Sequence, residues 1–173
     1  MTAPTDALDL NGLRLTSGEG RKLELTVRIE PFELGGDIYQ VEPASVNIRL
    51  DISRTTGQGY ALRLRFAAAL HGPCMRCLEP ALAEFAVDVR EISQPGAGEE
   101  LDSPYVVAGV LDLSAWVRDA LALNLPRAIL CREDCAGLCP VCGENLNELS
   151  IEHHHDSAPD PRWAKLSELK LDG

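Results

Sequence analysis

Apolar and polar residues alternate with a period of two in four separate stretches, which is the pattern of a strand that buries one face. The apolar positions of these stretches are Leu23, Leu25, Val27 and Ile29, then Val46, Ile48, Leu50 and Ile52, then Leu62, Leu64 and Phe66, and finally Phe85, Val87 and Val89. Four half-buried strands predict an antiparallel sheet, which we expect to be curved into a barrel-like form.

A helical pattern follows the last of these strands, after a loop rich in proline, glycine and acidic residues at 94–104. Asp112 can cap the helix, and Pro126 prevents its continuation. The positions that recur at helical spacing are Leu113, Trp116, Val117, Ala120, Leu121 and Asn124. We expect this amphipathic helix to pack on the sheet.

The net charge of -11 is spread unevenly along the chain. Residues 1–90 contain 12 acidic and 10 basic side chains, whereas residues 91–173 contain 15 and 6. A protein that binds nucleic acid non-specifically usually presents a basic face, so this chain as a whole does not fit that class. The acidic second half favours a basic protein partner.

Direct RNA contact would need a local basic patch in the first half of the chain. The candidates are Arg63, Arg65 and Arg76, close to the predicted hairpin between the third and fourth strands. An ordinary solvated strand face explains these arginines equally well. We find no signal peptide and no stretch of membrane-spanning length, so we expect a cytoplasmic protein without a membrane partner.

Four cysteines lie within twelve residues, at Cys131, Cys135, Cys139 and Cys142. In a reducing cytoplasm, closely spaced thiols are more typical of metal ligands than of disulfides. The CxxxCxxxCxxC spacing matches the ligand count of a structural zinc site, so these four are our first choice as ligands for Zn²⁺. The alternative is a flexible tail with reactive thiols, which fits poorly with the turn-forming glycines among them.

A second group of candidate ligands lies outside this quartet. Cys74 and Cys77 form a CxxC pair at the tip of the predicted hairpin, where buried structural cysteines or a reversible dithiol are alternatives to metal binding. His153 and His155 follow the quartet and carry imidazoles suited to zinc. These residues allow two sites, for example Cys74 and Cys77 with the first two cysteines of the quartet, and its last two with two histidines; the spacing alone does not choose.

Catalysis has little support in the sequence. His71 is the only histidine outside the run at 153–155, and no phosphate-binding loop, nucleophile elbow or HExxH pattern is present. Four cysteines on one zinc ion would also leave no open position for a substrate. We therefore expect a non-enzymatic protein without a small-molecule substrate.

The motifs that remain resemble one family in order and spacing. They are Cys74-Met-Arg-Cys77, Leu111-Asp-Leu113, Leu123-Asn-Leu-Pro126, the segment from Cys131 to Gly143, Asn145-Leu-Asn147 and Asp160-Pro-Arg-Trp163. Together they resemble the bacterial YceD family, the large ribosomal RNA subunit accumulation proteins. The resemblance implies a cytoplasmic, non-enzymatic factor for accumulation of large-subunit ribosomal RNA, with a zinc-binding tail in many members. Where one common form of the pattern has a further cysteine pair, this chain has His153 and His155.

We therefore predict an α+β protein with three parts. Residues 1–20 form a flexible N-terminal arm, residues 21–126 form a β-rich core domain with one helix, and residues 127–173 form an acidic zinc-binding module. The module ends in a short helix that Asp160 caps and that carries Trp163. Its partner would be ribosomal RNA or a basic ribosomal or assembly protein. The alternative function is a thiol redox protein or metal donor that uses Cys74 and Cys77.

Overall fold

The computed structural model describes residues 4–98, 101–149 and 153–155. The chain divides into two compact units, Met1–Cys135 and Ala136–Gly173, which we name the core unit and the tail unit. The predicted C-terminal helix after Asp160 lies outside the described residues.

The core unit is built mainly from antiparallel strands. The strands are β1 (Ala7–Asp9), β2 (Gly20–Arg28), β3 (Phe32–Leu34), β4 (Asp37–Glu42), β5 (Ser45–Arg54), β6 (Tyr60–Pro73), β7 (Pro80–Ser93), β8 (Val106–Val107) and β9 (Val110–Asp112). One helix, α1 (Leu113–Leu123), follows β9. This composition confirms the α+β class.

Strand β6 organises the larger, six-stranded sheet. Along one edge it pairs with β7 over its whole length, from Tyr60 opposite Ser93 to Pro73 opposite Pro80. Along its other edge it pairs first with β5 and then with β4. Its alternate side chains, from Tyr60 to Leu70, are buried and form the centre of the core.

Strands β4 and β5 behave as one long strand that is interrupted opposite the middle of β6. Glu42 pairs with Ala69 and Arg49 pairs with Arg65, so the six residues 43–48 lie opposite the three residues 66–68. Residues 45–48 pair with β2 instead. Such an excess of residues on one strand is a large bulge, and it separates the two strands locally.

The sheet is open rather than barrel-like. Among the described residues, β2 pairs only with β5, β3 only with β4, and β7 only with β6, so three edges remain. The alternating pattern predicted four strands correctly but also fits a closed barrel, because inward and outward side chains alternate in both. The expected barrel-like form is therefore wrong.

Helix α1 covers one side of the sheet, as predicted, and contacts β2 and β7. Its buried positions are Leu113, Trp116, Val117, Ala120 and Leu121. The carboxylate Oδ1 of Asp112 accepts a hydrogen bond from the Ala115 N–H at 2.9 Å, which satisfies one of the free donors of the first turn.

Part of the predicted N-terminal arm is ordered. Strand β1 pairs with β9 in a three-stranded sheet with β8, and Leu10 is fully buried. The Asp6 carbonyl accepts hydrogen bonds from the N–H groups of Leu113 and Ser114 at the start of α1. A three-residue strand has too little alternation to be recognised in the sequence, so this pairing was not predicted.

We predict that Asp112→Ala lowers the free energy of unfolding by about 1 kcal/mol, because the first turn of α1 loses its cap. Urea denaturation followed by circular dichroism measures the change. Asp112→Asn retains an acceptor at the same position and should stay close to the wild type. An equal loss in both variants would assign the effect to charge rather than to capping.

The turn between β6 and β7 contains a second testable feature. Leu78 has a φ of 64°, a left-handed conformation that costs a leucine about 1 kcal/mol, and its side chain is 60% exposed. We predict that Leu78→Gly raises the free energy of unfolding by up to about 1 kcal/mol. Leu82→Gly is the control: Leu82 is also exposed but lies within β7, where glycine should destabilise. Destabilisation by Leu78→Gly would mean that the leucine side chain makes a contribution larger than its backbone strain.

Candidate metal centres

The first candidate centre lies in the core unit and brings together Cys74, Cys77, Cys131 and Cys135. Their four sulfur atoms all lie within 4.8 Å of one another and could hold a metal ion. The first two cysteines belong to the tip of the β6–β7 hairpin, as the sequence predicted, and the last two belong to the segment that follows α1. Only Cys131 of the four is exposed.

Hydrogen bonds beside the cluster hold these two segments together. The Met75 N–H donates to the Ile129 carbonyl at 2.9 Å, and the Ile129 N–H points at the Met75 sulfur at 3.3 Å. Arg76 Nη1 donates to the Cys135 carbonyl at 2.8 Å. Ile129 is 1% exposed, so the seam is also packed with apolar side chains. The two segments that carry the sulfur cluster are therefore held together by hydrogen bonds beside it.

The sulfur spacing fits a tetrahedral metal site. The Cys77 and Cys131 sulfurs are 3.5 Å apart, and the Cys74 and Cys135 sulfurs are 3.8 Å apart. Four thiolates on zinc at about 2.3 Å place neighbouring sulfurs about 3.8 Å apart. A disulfide would require about 2.05 Å. The arrangement is that of ligands around a common point.

The second candidate centre lies in the tail unit and combines Cys139 and Cys142 with His153 and His155. The Cys142 sulfur is 3.5 Å from Nε2 of His153, close to the separation of about 3.6 Å expected for a sulfur and a nitrogen on one zinc ion. The two imidazole Nε2 atoms are 2.9 Å apart, somewhat closer than the roughly 3.3 Å of two zinc ligands. This donor set could also hold a metal ion.

Glu144 adds an outer carboxylate to the second centre. Its Oε2 lies 3.8 Å from Nδ1 of His153, the ring nitrogen that does not face the cluster. Carboxylates commonly occupy this position next to metal-bound imidazoles, where they orient the ring and increase its basicity. The sequence contained no signal that distinguished Glu144 from the other acidic residues of the tail.

Both CxxC motifs form the same backbone turn. The N–H of the first cysteine donates to the carbonyl five positions later, at 2.7 Å for Cys74 and 2.8 Å for Cys139. The N–H four positions after that cysteine donates back to its carbonyl, at 2.9 and 2.8 Å. The residue at this fourth position has a positive φ, 64° for Leu78 and 78° for Gly143. The shared geometry directs two sulfurs of each turn to one point.

The backbone of the turns also favours thiolate at one sulfur in each centre. Burial raises the pKa of Cys74, but N–H groups of Arg76, Cys131 and Cys77 that point at its sulfur lower it, and the result is a pKa of about 6. For Cys139, N–H groups of the same turn lower the pKa to about 6. A thiolate is the form of cysteine that binds metals.

The remaining thiols resist ionisation without a cation. Although Cys131 as a residue is exposed, desolvation of its sulfur and the three neighbouring thiols raise its pKa to about 12, and burial is the largest cause of the raised pKa of Cys77. Adjacent thiolates repel one another, so they cannot all ionise in one cluster. A divalent cation at the centre would reverse this repulsion.

The eight candidate ligands are distributed differently from our first choice in the sequence. The quartet at 131–142 is shared between two centres, and each half is completed by a pair of second-choice ligands. This matches the two-site partition that the sequence left open. His154 is exposed and takes no part in the cluster.

The three arginines considered for RNA contact are engaged within the core unit. Arg63 donates to both carboxylate oxygens of Asp88, at 2.8 and 2.6 Å, and lowers the pKa of that carboxyl. Arg65 pairs with Asp51, and Arg76 donates to the backbone beside the first centre. The charges of Arg63 and Arg65 are therefore paired with carboxylates, whereas Arg76 donates to a neutral carbonyl and keeps its charge.

No helix in the described part of the chain has the length and apolar character needed to cross a bilayer. No solved structure matches the chain significantly. Uncharacterized proteins of Mycobacterium tuberculosis and Mycobacterium bovis are each 32% identical over 164 residues, which cover 90% of this chain and 78% of the relative. An uncharacterized protein of Mycobacterium leprae is 34% identical over 102 residues, or 56% of this chain and 46% of its own length.

A family profile for the large ribosomal RNA subunit accumulation protein YceD matches residues 62–170. The matched segment includes β6 from Leu62 onwards, β7, α1 and every residue of the two candidate metal centres. Since it covers more than half of the chain, this protein belongs to the YceD family, whose description indicates a role in the accumulation of large-subunit ribosomal RNA.

Proposed function

We propose that this protein is a non-enzymatic, cytoplasmic factor that supports accumulation of large-subunit ribosomal RNA by holding a basic ribosomal or assembly protein. Two structural zinc ions would stabilise it, one in each centre. The observation that carries the zinc assignment is the convergence of two separate donor sets, each within 4.8 Å, on two similar CxxC turns.

Zinc suits these donors better than other common metals. Thiolate and imidazole are ligands for zinc, whereas magnesium and calcium prefer oxygen donors. Four protein ligands in each centre leave no open position, which is the arrangement of structural rather than catalytic zinc. The role of the metal would then be to hold the hairpin tip on the segment after α1, and to fold the turn of the tail unit.

A protein partner is favoured over RNA by the distribution of charge. The chain carries a net charge of -11, and the strand arginines Arg63 and Arg65 are paired with Asp88 and Asp51. Binding phosphates through these arginines would break existing ion pairs before it released counterions. A basic ribosomal protein would instead be attracted by the acidic chain. Stabilising such a protein can support RNA accumulation without direct contact with RNA.

The alternative function, thiol redox work or metal donation through Cys74 and Cys77, is supported by one observation. The pKa of Cys74 is lowered to about 6, as in reactive thiols. A metal ligand needs the same shift, and the hairpin tip is held by the Met75 and Arg76 hydrogen bonds rather than left free to exchange. We therefore place this function second.

We predict that native mass spectrometry of the untagged protein finds two zinc ions per chain. Cys74→Ser with Cys77→Ser should lose one ion and lower the melting temperature of the core unit by on the order of 10 °C, because metal binding is part of folding free energy. Cys139→Ser with Cys142→Ser should lose the other ion and leave the melting of the core unit close to the wild type.

The native mass spectra also distinguish the structural zinc hypothesis from its alternatives, another bound metal or a metal-free redox protein. A bound mass other than zinc would change the metal assigned. A folded wild type without metal, with reversible oxidation of Cys74 at cytoplasmic potentials, would reject the structural role and favour redox chemistry. His154→Ala is the matched control for His153→Ala, since only His153 lies in the second centre.

We further predict that the protein co-sediments with precursors of the large ribosomal subunit. Replacing Arg63 and Arg65 by Gln should leave this association within about twofold of the wild type, because their charges are already paired. Ribonuclease treatment should release the protein less completely than high salt does. Loss of co-sedimentation in the arginine variant, with an unchanged melting temperature, would favour direct RNA binding.

A further inference from the structure

The bulge between β4 and β5 leaves residues 66–68 of β6 without a paired strand on one of their two edges. In the described part of the chain, residues 66–68 pair only with β7, although the residues on either side of them pair with β5 and β4 as well. Only alternate residues of an antiparallel strand direct their N–H and C=O groups to a given edge, and those of this stretch that face the gap can pair with an added segment. Ala67, in the middle of the gap, is exposed.

A hollow of about 540 Å³ lies over this gap on the side of the sheet that carries Ala67. On the face that carries Ala67, the small side chains of Ala67, Ala69 and Ala86 line it between Glu42 and Glu84, and Pro43, Ala68 and Phe85 complete its lining. We name Ala67, Ala69, Ala86 and the rim glutamates Glu42 and Glu84 the outer trough. A second hollow of about 770 Å³ shares Ala86 with it and continues towards β2. Small side chains in the outer trough let another backbone approach closely.

The charges at the rim point to a cationic occupant. Glu42, Ala69 and Glu84 lie in one row across β4, β6 and β7. Neighbouring strands are about 4.8 Å apart, so the two carboxylates flank the alanine with roughly 10 Å between their backbones. Both glutamates are exposed, and neither has an ion-pair partner among the described residues.

The other charged side chains on this face of the sheet do not remove the negative charge of the outer trough. Arg49 pairs with Glu24, Arg65 with Asp51, and Arg63 with Asp88. These pairs neutralise one another. Lys22 and Arg90 have no ion-pair partner among the described residues, but they lie in the row of Asp51 and Arg63, six residues along β6 from Ala69. The two rim glutamates therefore remain uncompensated at their own end of the face.

We infer that the outer trough binds an extended segment of a partner protein that places a lysine or arginine over Ala69, between Glu42 and Glu84. The segment would use the free edge of residues 66–68 for backbone hydrogen bonds and the two carboxylates for its cation. Phosphates of RNA would be repelled by these carboxylates, and a second copy of this chain carries the same excess of negative charge. The inference deepens the proposed function, on which it rests, because it assigns the surface that recognises the basic partner.

The test uses full-length, zinc-loaded protein and a synthetic ten-residue peptide in which lysine alternates with valine. In two-dimensional NMR, we expect the amide signals of Ala67, Ala69 and Ala86 to shift on titration. Glu42→Gln with Glu84→Gln should weaken peptide affinity by about fivefold, as expected for two solvent-exposed ion pairs. Glu30→Gln with Glu33→Gln changes the same net charge at exposed positions outside the trough, so its affinity should match the wild type.

Several results would overturn the inference. Equal weakening in both double variants would mean that only the net charge of the chain attracts the peptide. Shifts that map elsewhere would assign another site. Tighter binding of a single-stranded RNA oligonucleotide by the Glu42→Gln, Glu84→Gln variant than of the peptide by the wild type would assign RNA as the occupant. Concentration-dependent self-association through the trough would assign a second copy of the chain. If the peptide test fails while the wild-type protein still co-sediments with precursors of the large subunit, the trough is rejected and the proposed function stands. If the wild-type protein does not co-sediment with these precursors, the proposed function itself is rejected.

Discussion

Repulsion between closely packed thiolates is the constraint on which the architecture of the core unit depends. The chain brings Cys74 and Cys77 from one hairpin tip against Cys131 and Cys135 from a segment more than fifty residues later. Desolvation and crowding together would keep most of these thiols protonated, and the raised pKa of Cys131, which is exposed as a residue but surrounded by the other three thiols, expresses that cost. A central cation converts the same crowding into attraction. The metal would therefore fix a long-range contact that apolar packing at Ile129 supports but does not by itself orient.

This contact also explains why β6 and β7 can be so long. Each strand has 14 residues, and their hairpin extends to the sulfur cluster at one end. A two-stranded ribbon has marginal stability alone, so an anchor at its tip reduces fraying. On the opposite edge of β6, residues 43–48 form the bulge, of which 45–48 pair with β2 and not with β6, and this leaves a gap in the pairing of β6. Strand β6 thus contains both the anchored hairpin tip and the interrupted edge, and the two features have different consequences for the fold.

Local patterns predicted the parts of the fold that depend on local physics. The four long strands and α1 follow from periodicity, and the Asp112 cap follows from its position before an apolar helical stripe. Strand β4 was missed because Ile38 is 61% exposed and disturbs its alternation with the inward Tyr39. The choice between open sheet and barrel depends on whether the edge strands β2, β3 and β7 find a further partner, which pairing reveals and hydrophobic pattern does not.

The candidate ligands could be identified from their chemistry, but their partition could not. Spacing sets the conformation of each CxxC turn, and the similar hydrogen bonds at Cys74 and Cys139 show that this local effect is strong. Which second pair completes each turn depends on chain topology. A useful signal was present nonetheless: the chain offers eight candidate ligands, which are enough for two sites of four.

The charged side chains on the exposed face of the open sheet determine which charged molecules that face attracts. Exposed ion pairs such as Arg49 with Glu24 and Arg63 with Asp88 contribute little to stability. Their larger consequence is to pair positive charge on a face whose strands are rich in arginine. Lys22 and Arg90 in the row of Arg63, and Glu42 and Glu84 in the row of Ala69, have no ion-pair partner among the described residues, so the two ends of the face differ in sign. On the function proposed above, the acidic end of this face would meet the ribosomal subunit through basic proteins rather than through phosphates.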